Sequence, residues 1–198
     1  MIEQIDSPKA LQIKDTAKTL FWKHGIRRVT VEEICQEAGV SKMTFYRMFD
    51  NKIELAKAVL DEVVESSLEK YRKIMGQDTP FAEKIRQMVL LKLEGTEAIS
   101  QELIMDIYKN EVTELIDFMA EKRKQGMEAT LQFFAQGQKE GALRKDVKPE
   151  FIMHMINQIN DMATDEKLLA MYDSPQDLIM ELTNFFFYGI SSADEKKS

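Results

Sequence analysis

The stretch from Thr30 to Phe49 constrains the fold more than any other part of this chain. It reads Thr30-Val31-Glu32-Glu33-Ile34-Cys35-Gln36-Glu37-Ala38-Gly39-Val40-Ser41-Lys42-Met43-Thr44-Phe45-Tyr46-Arg47-Met48-Phe49. Thr30 and Glu33 fit a capping box, in which a hydroxyl and a carboxylate satisfy the orphan N–H groups of a helix start reciprocally. Val31, Ile34, Cys35 and Ala38 then recur at helical spacing and give a short helix one apolar face. Gly39 supplies the permissive backbone of a tight turn. Ser41 can cap a second helix whose Phe45 and Phe49 point inward at i, i+4. Lys42, Met43, Thr44, Tyr46 and Arg47 are left on the outer side. In a helix-turn-helix those positions enter the major groove of DNA.

A net charge of −7 is at first sight wrong for a partner of phosphate. Its distribution resolves the conflict. Residues 1–60 carry ten Lys/Arg against eight Asp/Glu, whereas the remainder carries seventeen against twenty-six. Charge is therefore polarised, as expected if one end alone meets DNA. The excess of two is modest, which predicts weak non-specific binding and a dimer for useful affinity.

No alternating strand pattern occurs, and the prolines sit where helices should begin, so the fold is expected to be all-α with about nine helices. Ser7-Pro8, Thr79-Pro80 and Ser174-Pro175 each place a hydroxyl before a proline at a first helical position. Lys148-Pro149 does so without a good cap. The first helix is predicted over 8–24, stopped by Gly25, with Ala10, Ile13, Ala17, Leu20 and Phe21 buried. A fourth helix starts after Asp50-Asn51 and reaches about Met75, about 36 Å at 1.5 Å per residue. Further helices are expected over 80–94, around Leu103 to Tyr108, over 114–138, from Pro149 to about Tyr172, and from Pro175 to about Tyr188. The polar tail, Ser191 to Ser198, is expected to fray. These breaks suggest a DNA-binding domain over residues 1–51 and a second helical domain over 52–198.

Several classes are disfavoured. No run of about eighteen apolar residues exists, so no membrane span is expected. Met1 to Asp6 lacks the basic and apolar regions of a secretion signal. The single cysteine, Cys35, is expected in the core and fits a reducing cytoplasm. The two histidines lack metal-ligand spacing, and no P-loop, nucleophile elbow or dinucleotide glycine motif appears. Neither a metal, a cofactor nor an enzymatic activity is expected.

Gly39-Val40-Ser41-Lys42, followed by Thr44-Phe45-Tyr46, Phe49, Lys52 and Leu55, resembles the N-terminal signature of the TetR family of bacterial transcriptional regulators. The resemblance runs from about Ile13 to Leu55. Met43 replaces the small residue common there, and Arg47 and Met48 occupy variable positions. With the groove geometry, the resemblance assigns double-stranded DNA to Thr30, Ser41, Lys42, Met43, Thr44, Tyr46, Arg47 and Lys52. Lys42 and Arg47 suit phosphate or guanine, and Met43 and Thr44 a thymine methyl. Thr30, Ser41, Tyr46 and Lys52 suit phosphate and register, Lys52 being helped by the start of its helix.

The last helix has more apolar surface than one partner can cover. Leu178, Ile179, Leu182, Phe185 and Phe186 complete a stripe, with Met180, Phe187 and Tyr188 outside it. Either the helix is central to its own core, or it is a self-association face. The resemblance implies the second, a homodimer joined through the last two helices as a four-helix bundle. Its expected face comprises Ile159, Leu178, Leu182, Phe185, Phe186 and Tyr188.

An effector site, if the protein responds to a ligand, is expected in the C-terminal part. Met88, Met105, Phe134 and Met162 suggest an adaptable apolar interior, although methionines also serve as plain core. His154, Gln158, Asp161 and Asp165 form a polar row on one helix. The row either orients an apolar or cationic small molecule or is the helix's solvated face. The resulting expectation is a ligand-responsive repressor binding a palindromic operator as a dimer. The alternative is a DNA-binding scaffold without an effector, whose C-terminal part binds a protein.

Overall fold

In a computed structural model, the structure of the chain is described for residues 7–109 and 113–192. Residues 1–6, read above for a secretion signal, and the polar tail from 193 onward lie outside the described residues. Ten helices occur among them: α1 Pro8–His24, α2 Val31–Glu37, α3 Lys42–Met48, α4 Lys52–Met75, α5 Phe81–Gly95, α6 Gln101–Tyr108, α7 Thr113–Glu140, α8 Pro149–Met162, α9 Glu166–Leu169 and α10 Pro175–Ile190. The only extended pairing among the described residues is an isolated antiparallel bridge between Leu143 and Ser191. The all-α expectation stands.

Most helix starts follow from side-chain caps. Ser7, Ser41, Ser100 and Ser174 each accept a backbone N–H three residues on. Asn51 Oδ1 accepts from Ile53 and Glu54 and opens α4. Thr79 departs from this pattern. Pro80 itself occupies the position before α5, no side chain caps it, and the Thr79 hydroxyl is buried without a hydrogen-bond partner.

The helix expected from Pro149 to Tyr172 is two helices. Ala163 ends α8, Thr164 Oγ1 turns back to Asp161 O, and Asp165 caps α9 by accepting from Lys167 and Leu168 N–H. A short polar side chain that can bond locally to backbone outcompetes helix continuation here.

The described residues fall into two compact units. One lies within Met1–Glu65 and Ala98–Lys122, the other within Ser66–Glu97 and Arg123–Ser198. The first has a single continuous core, in which Ala10, Ile13, Ala17 and Phe21 of α1 meet Ile34, Cys35 and Phe45 of the motif. Leu55, Ala56, Val59 and Leu60 of α4 complete it, together with Leu103, Ile107, Leu115 and Met119. This unit is wider than the 1–51 segment read from the motif, because α6 and the start of α7 bury their apolar residues against the same core. Two ion pairs add to it: Lys14 with Glu62 at 3.1 Å, and Lys122 with Asp61.

The second unit has two smaller cores. Phe81, Phe133, Phe134, Leu143, Ile152 and Ile190 form one, with Phe186 and Phe187 partly buried against it. Leu169, Leu178 and Leu182 form the other. Tyr71 Oη donates to Ala129 O at 2.7 Å and Lys84 Nζ to Met75 O at 3.0 Å, tying α4 to α7 and to α5.

Candidate nucleic-acid interface

The geometry of the reading surface begins with how α2 and α3 are held. Thr30 and Glu33 form the capping box in full. Thr30 N–H donates to Glu33 Oε2 at 2.7 Å, and Glu33 N–H donates to Thr30 Oγ1 at 3.2 Å. The Thr30 backbone N–H first, and second the Thr30 hydroxyl, which donates to the same carboxylate oxygen at 2.9 Å, hold the Glu33 carboxyl below its ordinary value of 4.5. The chain then turns at Gly39, whose φ of +61° lies in the left-handed region where a Cβ is strained. Ser41 starts α3, and Phe45 and Phe49 anchor it from beneath, 0% and 5% exposed, with ring centroids 5.9 Å apart.

That anchoring leaves the opposite face open. Met43 is 83% exposed and Tyr46 54%; Lys42 and Arg47 are exposed as well, and Thr44 is half-buried. The five side chains expected in the groove thus share one accessible surface on a helix fixed by its buried side. Thr30 and Ser41 are exposed beside it, but their hydroxyls are already committed to the caps.

Lys52 is placed differently from its expected phosphate role. It is half-buried, and its ammonium donates to Val29 O at 2.7 Å and to Arg27 O at 3.0 Å. Burial pushes its pKa down, with Asp106 and Glu33 opposing. Two of its three donors therefore brace the α1–α2 turn.

One residue bearing on this turn, Asp106, was not singled out from sequence, and the tightness around Gly25 was not foreseen. Asp106 of α6, 6% exposed, accepts the Arg27 N–H on Oδ2 at 2.9 Å. Gly25 sits so close that a Cβ would lie 2.8 Å from that same oxygen and 2.9 Å from Glu102 Cβ, and its φ is +78°. Ser100 N–H donates to Trp22 O at 2.9 Å. The α1–α2 turn is therefore gripped by α4 through Lys52 and by α6 through Asp106. A signal existed in the sequence: Asp106 interrupts the apolar arc Leu103, Ile104, Ile107, and a carboxylate on a buried face needs a donor.

The residues expected in an effector pocket are divided between the two units, and those of the second unit do not share one buried face. Phe134 is buried in the aromatic core of the second unit and Met88 packs against it. Met105 belongs to the first unit and is half-buried. His154, Gln158 and Asp161 are exposed, because Ile152, Ile156 and Ile159 take the inward side of α8. Met162 is 39% exposed at the end of α8, and Asp165 caps the next helix. A depression of about 210 Å³ beside α1 and α2 is lined by His24, Arg28, Glu33 and Glu37 among others, and includes none of the expected residues.

The expected dimer face divides in two. Leu178 and Leu182 are 2% and 8% exposed and belong to the second unit's own core, with Ile159 packed on them. Phe186 is also turned inward, against Phe134 at 5.7 Å between ring centroids. Phe185 and Tyr188 remain 76% and 71% exposed. Leu178 and Phe185, seven residues apart, lie on nearly the same side of the helix, so the 3.6-residue period alone does not separate the buried members from the exposed ones.

Comparison with known proteins agrees with this geometry. Residues 13–59 match the profile of the family described as bacterial regulatory proteins, tetR family. The HTH-type transcriptional repressor KstR2 of Rhodococcus jostii is 24% identical over 155 residues, covering 76% of this chain and 75% of that one. The HTH-type transcriptional regulator TtgR of Pseudomonas putida is 29% identical over 127 residues, 61% of this chain and 58% of that one. The fold is shared with the fatty acid degradation regulator FadR from Bacillus halodurans, at a TM-score of 0.73 and 20% identity over 93% of this chain and 97% of that one. None of the described helices is long and apolar enough to cross a membrane. The matched segment holds the capped motif, the exposed α3 face and the buried phenylalanines beneath it; residues 13–59 carry a TetR-family DNA-binding domain, and with these relatives they show a DNA-binding transcriptional regulator.

Proposed function

We propose that this regulator is a cytoplasmic repressor that binds a palindromic operator as a homodimer and releases it on binding an apolar small molecule. The observation that carries the DNA-reading part is the exposed α3 surface of Lys42, Met43, Tyr46 and Arg47, set on a helix pinned by Phe45 and Phe49. Lys42 and Arg47 supply donors for phosphate or guanine, and Met43 supplies apolar contact for a thymine methyl. The exposure of Thr30, Ser41 and Tyr46 supports contact with backbone phosphate. Lys52 acts from behind, through the α1–α2 turn.

Phe185 and Tyr188 support self-association through the last helix, since two large exposed rings on one helix face favour a covered interface. Two-fold pairing sets two α3 helices on half-sites one turn apart, ~34–36 Å. The aromatic interior of Phe81, Phe133, Phe134, Phe186 and Phe187 supports an apolar effector, because rings and methionines repack around ligands of that class. Release follows from linkage: a ligand that prefers a conformation with mis-spaced α3 helices lowers operator affinity by its differential binding. Helices α4 and α7 have residues in both units and give that change a covalent route.

Selection of bound duplexes from a random pool tests the reading. The expected product is a palindrome with half-sites one turn apart. Arg47→Ala should then weaken binding to it by ~1–3 kcal/mol and relax preference at one base position. Enrichment of no duplex at low salt would overturn the proposal. Phe185→Ala should shift sedimentation toward monomer while leaving each protomer folded.

A further inference from the structure

We propose that Glu32 is a specificity-determining residue, which occupies the Lys42 ammonium and so suppresses binding to DNA of arbitrary sequence. The proposal rests on the DNA-binding reading above and deepens it. Glu32 lies in the first turn of α2 and Lys42 is the first residue of α3. Their side chains form a hydrogen-bonded ion pair that bridges the two helices of the motif. Each partner moves the other: Lys42 holds the Glu32 carboxyl below its ordinary value, and Glu32 raises the Lys42 ammonium.

The pair is not needed to form either helix. Glu33, not Glu32, closes the capping box, and α3 is capped by Ser41 and anchored by Phe45. Nor is the pair sealed from solvent, with side chains 55% and 62% exposed. Exposed ion pairs are weak in water, so a phosphate can displace Glu32 when the rest of the interface holds the DNA in register. Arg47, on the same helix, makes no ion pair among the described residues and needs no such exchange.

Charge makes this exchange matter. Residues 1–60 have a surplus of only two positive charges, so one neutralised lysine is a large share of the attraction for phosphate. In a non-specific complex, affinity comes almost wholly from such contacts. There Glu32 both competes for Lys42 and presents a carboxylate toward the phosphate strand. In a sequence-matched complex, base contacts hold the backbone close and the exchange is completed. The carboxylate thus lowers non-specific affinity more than specific affinity, and specificity is that difference.

The test is a double-mutant cycle on DNA binding. Dissociation constants of the wild type, Glu32→Gln, Lys42→Ala and the double variant are measured over a salt series. The probes are a mixed-sequence duplex and a duplex obtained by selection. Glu32→Gln should bind the mixed-sequence duplex about three- to ten-fold more tightly, with a log–log salt slope steeper by about one per protomer. Its gain on the selected duplex should be smaller, and most of the gain should vanish in the Lys42→Ala background. An equal gain in both backgrounds, or none in either, overturns the proposal and leaves the DNA-binding reading standing. A wild type that binds neither duplex at low salt removes that reading, and the role of Glu32 with it. Unchanged melting of Glu32→Gln separates these effects from loss of fold.

Discussion

The two units spend their apolar residues differently. Among the described residues, the first gathers nineteen buried side chains into one cluster, drawn from six helices and the turns between them. The second divides its buried side chains into a cluster of seven, ringed by half-buried methionines and aromatics among others, and a cluster of three bordered by Ile159, Ala163 and Leu168. Close packing around one core resists displacement, because a shift at one side chain is felt throughout. Separate clusters joined by polarizable, multi-rotamer side chains repack at less cost. A surface that must match DNA to a fraction of an ångström benefits from the first arrangement, and an interior that admits a ligand from the second.

Core truncation should expose the contrast most strongly. Phe45→Ala removes a fully buried ring under α3 and should cost ~3–5 kcal/mol, with DNA binding lost. Met88→Ala, in the half-buried margin of the second unit, should cost clearly less. Chemical denaturation compares the two, and equal losses would break the contrast.

Glycine substitutions give the next effect. Gly25→Ala meets both a positive φ and atoms under 3 Å away, one of them Asp106 Oδ2, whereas Gly39→Ala meets positive φ in open space. The first should destabilise by more than ~2 kcal/mol and the second by about 1 kcal/mol. A reversal of that order would mean the α1–α2 turn yields more easily than its packing implies.

Asp106→Ala leaves the Arg27 N–H without its buried acceptor and should cost about 1–3 kcal/mol. Asp106→Asn keeps an acceptor and should recover most of it. Hydrogen exchange at Arg27 reads the bond directly: protection should fall in Asp106→Ala and return in Asp106→Asn.

The smallest effect is the capping box. Because the folded Glu33 carboxyl is held below its ordinary value, its contribution is present above pH 4.5 and is lost as pH falls through the lower folded value. Thr30→Ala should remove ~1 kcal/mol at neutral pH and flatten that acid dependence. Melting of the two proteins between neutral and acid pH checks both.

Much of the first unit was legible from residues alone because its signals are local. Ser7 and Thr30 cap as their spacing predicts, Gly25 ends α1, and Phe45 with Phe49 declares the inner side of α3. Local hydrogen bonds and helical periodicity need only neighbouring residues, so they survive reading in one dimension. The break after Met162 was missed because Asp165 reads as the end of a continuous polar row and Thr164 carries no signal of its own. Their bonds to backbone became visible only with the turn itself.

By itself the sequence determined the helical class, the capped motif and which residues lie on the outer side of α3. Tertiary structure decided the partners that lie far apart along the chain. Arg27 and Asp106 are 79 residues apart, and nothing in their neighbourhoods names the other. Lys52 reads as a phosphate-binding cation until Val29 and Arg27 carbonyls take its donors. Lys42 reads as a free one until the turn at Gly39 brings Glu32 beside it. Leu182 and Phe185 look alike in sequence, yet one is 8% and the other 76% exposed, because burial depends on which neighbouring helix arrives. Side-chain chemistry and periodicity are properties of a segment, whereas burial, pairing and competition for a charge belong to the assembled fold.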